Sequence, residues 1–311
     1  MIFFKDTIAV GSVLRSDNFG QHSMSERYRA LKQRTGLDFD PTIQLMDCLP
    51  AFLDGDRHKK IRKAMARQLA TSKKRQEEAA ATKIAFLFDK LFVPQNEIEL
   101  VSEFALPLWR EISASIVDRN QDALDLINEI PLLFFPTLSI RERMRTNEKL
   151  RTFIENNQMN IDDTLCTLAL TLLGAKPFVG SVALSLYHTV AENAGKKSNE
   201  IRWPGIFPAS SLTFVDRICK HATQIGNDAF SVGARVRCFT QSETYSSEEN
   251  GALLFGLGAH TCLGKGISEF VWKALTQHLS EFGACLVPLG KEMEAHTEPF
   301  SMPRVAQIAV R

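Results

Sequence analysis

The sequence predicts a mainly α-helical fold with a small β component. Three observations carry this expectation. Charge-rich segments with apolar residues at helical spacing fill most of the first two thirds of the chain. Runs rich in β-branched residues are short and fall late, and they sit between clusters of Gly, Asn and Ser that read as turns.

In chain order, helical patterns cover residues 25–34, 57–69, 76–91 and 140–156, and a long apolar stretch follows over 161–191. Strands are expected at 217–223, 235–239 and 305–310. A last amphipathic helix is marked by Leu263, Ile267, Phe270, Val271, Ala274, Leu275, Leu279 and Phe282, which recur at helical spacing. No repeat, low-complexity tract or Pro/Gly/Ser linker divides the chain, so one domain over 1–311 is expected.

The 311 residues are 44% hydrophobic and 23% charged, which excludes disordered and mini-protein classes. With 37 Lys+Arg against 36 Asp+Glu, the net charge of +1 offers no global field for nucleic acid or an anionic membrane, so any basic patch must be local. Six cysteines, at 48, 166, 219, 238, 262 and 285, form no C-x-x-C pair, which suits a reducing compartment. The opening MIFFKDTIAV is too short for a signal sequence, and no later run reads as the ~18 apolar residues of a membrane helix. A cytoplasmic protein is expected.

Chemistry concentrates in residues 255–264, Phe255-Gly256-Leu257-Gly258-Ala259-His260-Thr261-Cys262-Leu263-Gly264. The last amphipathic helix puts Cys262 at a helix start, where free N–H groups and the positive end of the dipole favour a thiolate able to ligate metal. Glycines before it let the backbone pass close to a bulky partner. A lone cysteine in such a loop is more often a small buried hydrophobe.

The whole string resembles the haem-binding loop of cytochromes P450, F-G-x-G-x-H-x-C-x-G. That resemblance implies a short, trimmed P450-like fold holding haem b, with Cys262 as the thiolate ligand of iron and His260 at a haem propionate. Phe255, Gly256, Gly258 and Gly264 would shape the loop around the cofactor. Residues 54–62, DGDRHKKIR, look like the family's entry to the helix crossing the proximal face, where a His and an Arg four residues later meet a propionate. His58 and Arg62 share one helical face at that spacing; by themselves they read as a solvated face. In the same family a strand Arg binds the other propionate, and Arg217 is the candidate, against the alternative of an exposed strand arginine.

Departures from the pattern bear on function. Where ordinary P450 monooxygenases carry an acid and an alcohol above the haem, this chain has Gly174, Lys176, Pro177 and Phe178, and Pro177 is expected to kink the helix near Gly174. Lys-Pro is similar to the Arg-Pro of fatty-acid peroxygenases, which implies that Lys176 anchors a substrate carboxylate; alternatively it snorkels to solvent or pairs with an acid. The expected E-x-x-R is damaged at Asn199-Glu200-Ile201-Arg202, and the segment 240–254 is short for the family's meander. An oligomer contact would then replace the missing packing. The resemblance implies a monooxygenase-like oxidoreductase acting on a small metabolite, in bacterial secondary metabolism. Peroxide-driven or non-oxidative chemistry, or a non-catalytic haem-binding accessory subunit, are the alternatives. The basic segment 57–75 reads as a solvated face or as the docking site of an acidic ferredoxin.

Overall fold

The computed structural model describes residues 1–130, 133, 138–157, 161–241, 251, 253–294 and 300–311, with backbone alone at 128, 161 and 162. Its helices are α1 (Thr7–Arg15), α2 (Met24–Thr35), α3 (Asp40–Met46), α4 (Gly55–Leu91), α5 (Leu106–Ile116), α6 (Gln121–Glu129), α7 (Ile140–Asn156), α8 (Ile161–Glu192) and α9 (Lys265–Glu281). The strands are β1 (Ile2–Phe4), β2 (Phe19–Gly20), β3 (Glu97–Glu99), β4 (Phe214–Cys219), β5 (Thr223–Ile225), β6 (Asp228–Phe230), β7 (Arg235–Phe239), β8 (Leu286–Met293) and β9 (Pro303–Val310). They form a four-stranded sheet of order β1-β7-β4-β2, a three-stranded sheet β3-β9-β8 and the hairpin β5-β6.

Local chemistry explains most boundaries. Ser23 accepts from the Glu26 N–H to start α2, and Gly36, at φ 70°, ends it. Ser139 and Glu142 cap α7 reciprocally. The two patterns expected at 57–69 and 76–91 are one continuous helix, because residues 70–75 hold no breaker. The hydroxyls of Thr71 and Ser72 bond back to the Gln68 carbonyl at 2.9 and 2.7 Å, so neither competes with the helix. At 1.5 Å per residue, α4 is about 55 Å long. The strand expected at 217–223 breaks after Cys219 and resumes at Thr223 as part of a hairpin.

Apolar faces meet in three clusters. One gathers α4, α5, α8, α9 and β9 around Trp109, Trp272 and Phe104; a second joins Tyr28, Phe39, Met65 and Leu150; a third lies under the four-stranded sheet, around Val10, Phe19 and Val236. Contrary to the sequence expectation, residues 163–192 of α8 are long and apolar enough to cross a membrane by length and composition. Of the qualifying window, 61% is buried inside the protein, which identifies a core helix.

Candidate functional site

The 255–264 loop is fastened to all three clusters: Phe255 packs on the first, Leu263 on the second and Leu257 on the third. Within it, the Cys262 N–H donates to the Phe255 carbonyl at 2.7 Å and the Gly256 N–H to the Leu253 carbonyl at 2.9 Å. Gly258 sits at φ 70°, and a Cβ there would lie 2.6 Å from the Leu14 carbonyl oxygen of α1. Only glycine combines that backbone with that approach.

Helix α9 begins at Lys265 with Gly264 as its cap, two residues later than the sequence suggested. The amides of Gly264 and Lys265 nevertheless hydrogen-bond the Cys262 sulfur and, with the charge of Arg62, pull its pKa down. Burial outweighs them and raises the thiol, which corrects the expectation of an easily ionised cysteine. The residue as a whole is exposed all the same. A metal cation bound at the sulfur would reverse the balance, because a coordinating thiol is deprotonated outright.

Beside the loop, α4 contributes His58 and Arg62. Arg62 donates to the Thr261 carbonyl, next to Cys262. The rings of His58 and His260 lie 4.2 Å apart, centroid to centroid. His58 is 4% exposed, and burial, with the charges of His260 and Arg62, pushes it down to about 4. His58 Nε2 and His260 Nδ1 are both buried with no hydrogen-bond partner. Native proteins seldom leave buried polar atoms unpaired, so a ligand is the natural explanation.

Asp54 is the residue that the sequence reading did not single out. It stands at the N-cap of α4, yet its side chain makes no cap bond. Its carboxylate instead takes the Gln21 N–H at 2.7 Å and the Lys220 ammonium at 2.6 Å, and lies 3.5 Å from His260 Nε2. These donors hold it well below the usual carboxylate range, against the effect of burial. Its place one helical turn before His58 was the available signal. Arg217, 7% exposed, is not the exposed strand arginine of the alternative reading. It donates to Gln21 Oε1 at 3.1 Å and to the Asp216 carbonyl at 2.9 Å, with no carboxylate in contact among the described residues. His58, Arg62, His260, Cys262 and, through Gln21, Arg217 thus form one connected group.

The α8 candidates behave differently. A Cβ on Gly174 would fall 2.3 Å from the Trp109 ring, and Phe178 packs on the same indole at 5.0 Å between centroids. Both therefore pack on the α5 side, against Trp109. Helix α8 continues through Pro177, and the Ser211 hydroxyl bonds the carbonyls of Lys176 and Pro177 at 3.3 and 3.2 Å. Lys176, two residues from both Gly174 and Phe178, projects from the opposite side of α8 and is half-buried.

The E-x-x-R pair is not formed. Residues Ser198–Glu200 make a single 3-10 turn, Glu200 accepts from the Lys197 N–H at 3.1 Å, and Arg202 is exposed. Most of the short segment 240–254, at 242–250 and 252, lies outside the described residues. Of the basic segment 57–75, Arg57 pairs with Asp47, Lys73 with Glu77, Lys74 with Glu78 and Arg75 with Asp118. Lys60, Lys63 and Arg67 remain exposed without an acid partner among the described residues.

No protein-family model and no curated protein matches the chain. Solved structures do. One is P450BioI in complex with an acyl carrier protein ligated with hexadec-9Z-enoic acid, at 13% identity and TM-score 0.73, covering 99% of this chain and 92% of that one. The P450 enzyme CxnD, for C–S bond formation in chuangxinmycin biosynthesis, aligns at 15% identity and TM-score 0.71, covering 98% and 87%. A versatile cytochrome P450 from Bacillus subtilis aligns at 14% and 0.70, covering 97% and 91%. The chain has the cytochrome P450 fold.

Proposed function

We propose that the chain is a haem-thiolate oxidoreductase of P450 type, in which Cys262 ligates the iron of haem b. The observation that carries this reading is the pair of buried, unpartnered ring nitrogens, His58 Nε2 and His260 Nδ1, beside Cys262. Haem presents two propionate carboxylates, which accept from an imidazole N–H such as His58 carries on one of its nitrogens and from the guanidinium groups of Arg62 and Arg217, so the residues present fit the group. When bound, thiolate-ligated haem supplies oxidation chemistry, its thiolate pushing electron density that favours O–O cleavage.

The chain's own residues do the rest. The Gly264 and Lys265 amides hold negative charge on sulfur, and Arg62 steadies the loop through Thr261 while adding a cation. Asp54 orients His260, and buried Arg217 supplies a further cation for a carboxylate. The substrate is a small organic metabolite and the setting a bacterial cytoplasm, in keeping with structural neighbours that act in biosynthesis or carry a fatty acyl chain. An acidic ferredoxin is the electron donor, drawn to Lys60, Lys63 and Arg67.

The test is the spectrum of haem-loaded protein, reduced and bound to CO. A thiolate-type Soret band is expected in the native chain and its loss in Cys262→Ser; no such band, or one that survives the substitution, overturns the reading. The unformed E-x-x-R pair favours a second reading, a haem-binding accessory subunit. A native band without turnover in any donor system would select it.

A further inference from the structure

We propose that Gln21 is a positioning residue for the cofactor: its uncharged side-chain carbonyl aims the Arg217 guanidinium at a haem carboxylate while leaving the positive charge unneutralised. This role presupposes the haem-thiolate reading above, in which Arg217 supplies a cation for a carboxylate.

Sheet register brings the two residues together. Strands β2 and β4 are antiparallel, with Phe19 opposite Cys219 and Gly20 opposite Ile218. Gln21, the next residue, therefore stands opposite Arg217 just beyond the end of β2, and directly opposed residues put their side chains on one face. Gln21 Oε1 accepts from Arg217 Nη1 at 3.1 Å, and the Gln21 N–H donates to Asp54 Oδ2 at 2.7 Å. One residue thus fastens Arg217 of β4 to Asp54 at the start of α4, the helix that carries His58 and Arg62.

The charges around Arg217 show why the acceptor is an amide. Arg217 is 7% exposed, and a cation so buried ordinarily has an acid in contact. Here both described acceptors, Gln21 Oε1 and the Asp216 carbonyl, are neutral, and both fall on Nη1. Nε and Nη2 have no hydrogen-bond partner among the described residues. The nearby acids are committed elsewhere. The Asp216 carboxylate takes Arg237 Nε and Nη2 at 2.7 and 2.8 Å, while Asp54 Oδ2 takes Lys220 and Gln21 and its Oδ1 faces His260. Burial pushes the Arg217 guanidinium down, outweighing Cys238, Asp54 and Asp216. A guanidinium held at one nitrogen by neutral acceptors keeps its other donors, and its whole charge, for an anion. An acid at position 21 would bind Arg217 more tightly and cancel that charge.

Haem transfer to excess apomyoglobin, followed by absorbance, tests this on the haem-loaded native chain, Gln21→Met and Gln21→Glu, alongside the urea midpoint of each haem-free chain. Gln21→Glu keeps a bond to Arg217, so it is expected to hold or raise the midpoint and yet release haem b roughly tenfold faster than the native chain. Gln21→Met removes the bond and leaves the cation; it should lower the midpoint and fall between the other two in release. A purely structural Gln21 would make release follow the midpoints, with Gln21→Met fastest, and that order overturns the proposal. Iron protoporphyrin IX dimethyl ester has no charged carboxylate, so it should leave the native chain and Gln21→Glu at equal rates. A gap that persists with the ester overturns the proposal too. A native chain that takes up no haem removes both readings, whereas a thiolate-type spectrum with Gln21→Glu releasing haem b no faster than native overturns this one alone.

Discussion

His58 shows how one buried residue turns into a pH response. Its folded-state pKa of about 4 lies below the ordinary value of 6.5, so between those values the unfolded chain binds a proton that the folded chain refuses. The stability concerned is fully present above pH 6.5 and is lost as pH falls toward 4. Asp54, held below the usual carboxylate range, adds a loss of the same sign only in stronger acid. Urea unfolding of the haem-free chain is therefore expected to show a midpoint that drops between pH 7 and 4.5. His58→Phe, which keeps a ring against His260 and cannot protonate, should flatten that slope. An unchanged slope would mean that another group carries it.

Elements are set by contacts that distinguish one glycine from another. Gly258 needs φ near 70° and lies where a Cβ would strike the Leu14 backbone oxygen, so Gly258→Ala should cost about 2 kcal/mol or more. Gly174 is helical, and its Cβ would meet a side chain, the Trp109 ring. Helix propensity returns about 1 kcal/mol against an overpacking cost of about 1–3, so Gly174→Ala should lose less. Urea midpoints of the two variants check the order, and the reverse order would contradict it. Elements also compensate for one another. Where the E-x-x-R pair does not form, Ser198 Oγ donates to the Leu279 carbonyl at 2.7 Å and Trp272 Nε1 to the Pro204 carbonyl at 2.8 Å, tying the 198–204 turn onto α9.

Across the whole molecule, α4 links the site to the core: His58 lies near one end, and Ile84, Leu87 and Leu91 are buried near the other. Pairing has neutralised the far part of its basic run, leaving Lys60, Lys63 and Arg67 as exposed cations within three turns of His58. Steering by such a patch acts on encounter rate and is screened by salt. Reversing all three to Glu is expected to slow reduction by an acidic ferredoxin at least tenfold at low ionic strength and to remove the salt dependence. A rate unaltered by the reversal would place the donor elsewhere.

Sequence by itself determined the helical class, several boundaries and the order of Cys262, His58 and Arg217, because spacing, caps and loop glycines are local properties. Helix α7 matches its pattern at both ends, as does β7. Helices α1, α3, α5 and α6 carried too little periodicity to be expected in advance, and the join at 70–75 was masked by a polar stretch that a helix tolerates. Only the tertiary structure decided which groups meet. It sent the Asp54 carboxylate to His260 and Lys220 in place of its own helix cap, buried Arg217 beside Gln21, and turned Gly174 and Phe178 toward Trp109. Those outcomes depend on packing between segments up to 206 residues apart, as in the bond between Asp54 and His260, and no local pattern encodes them.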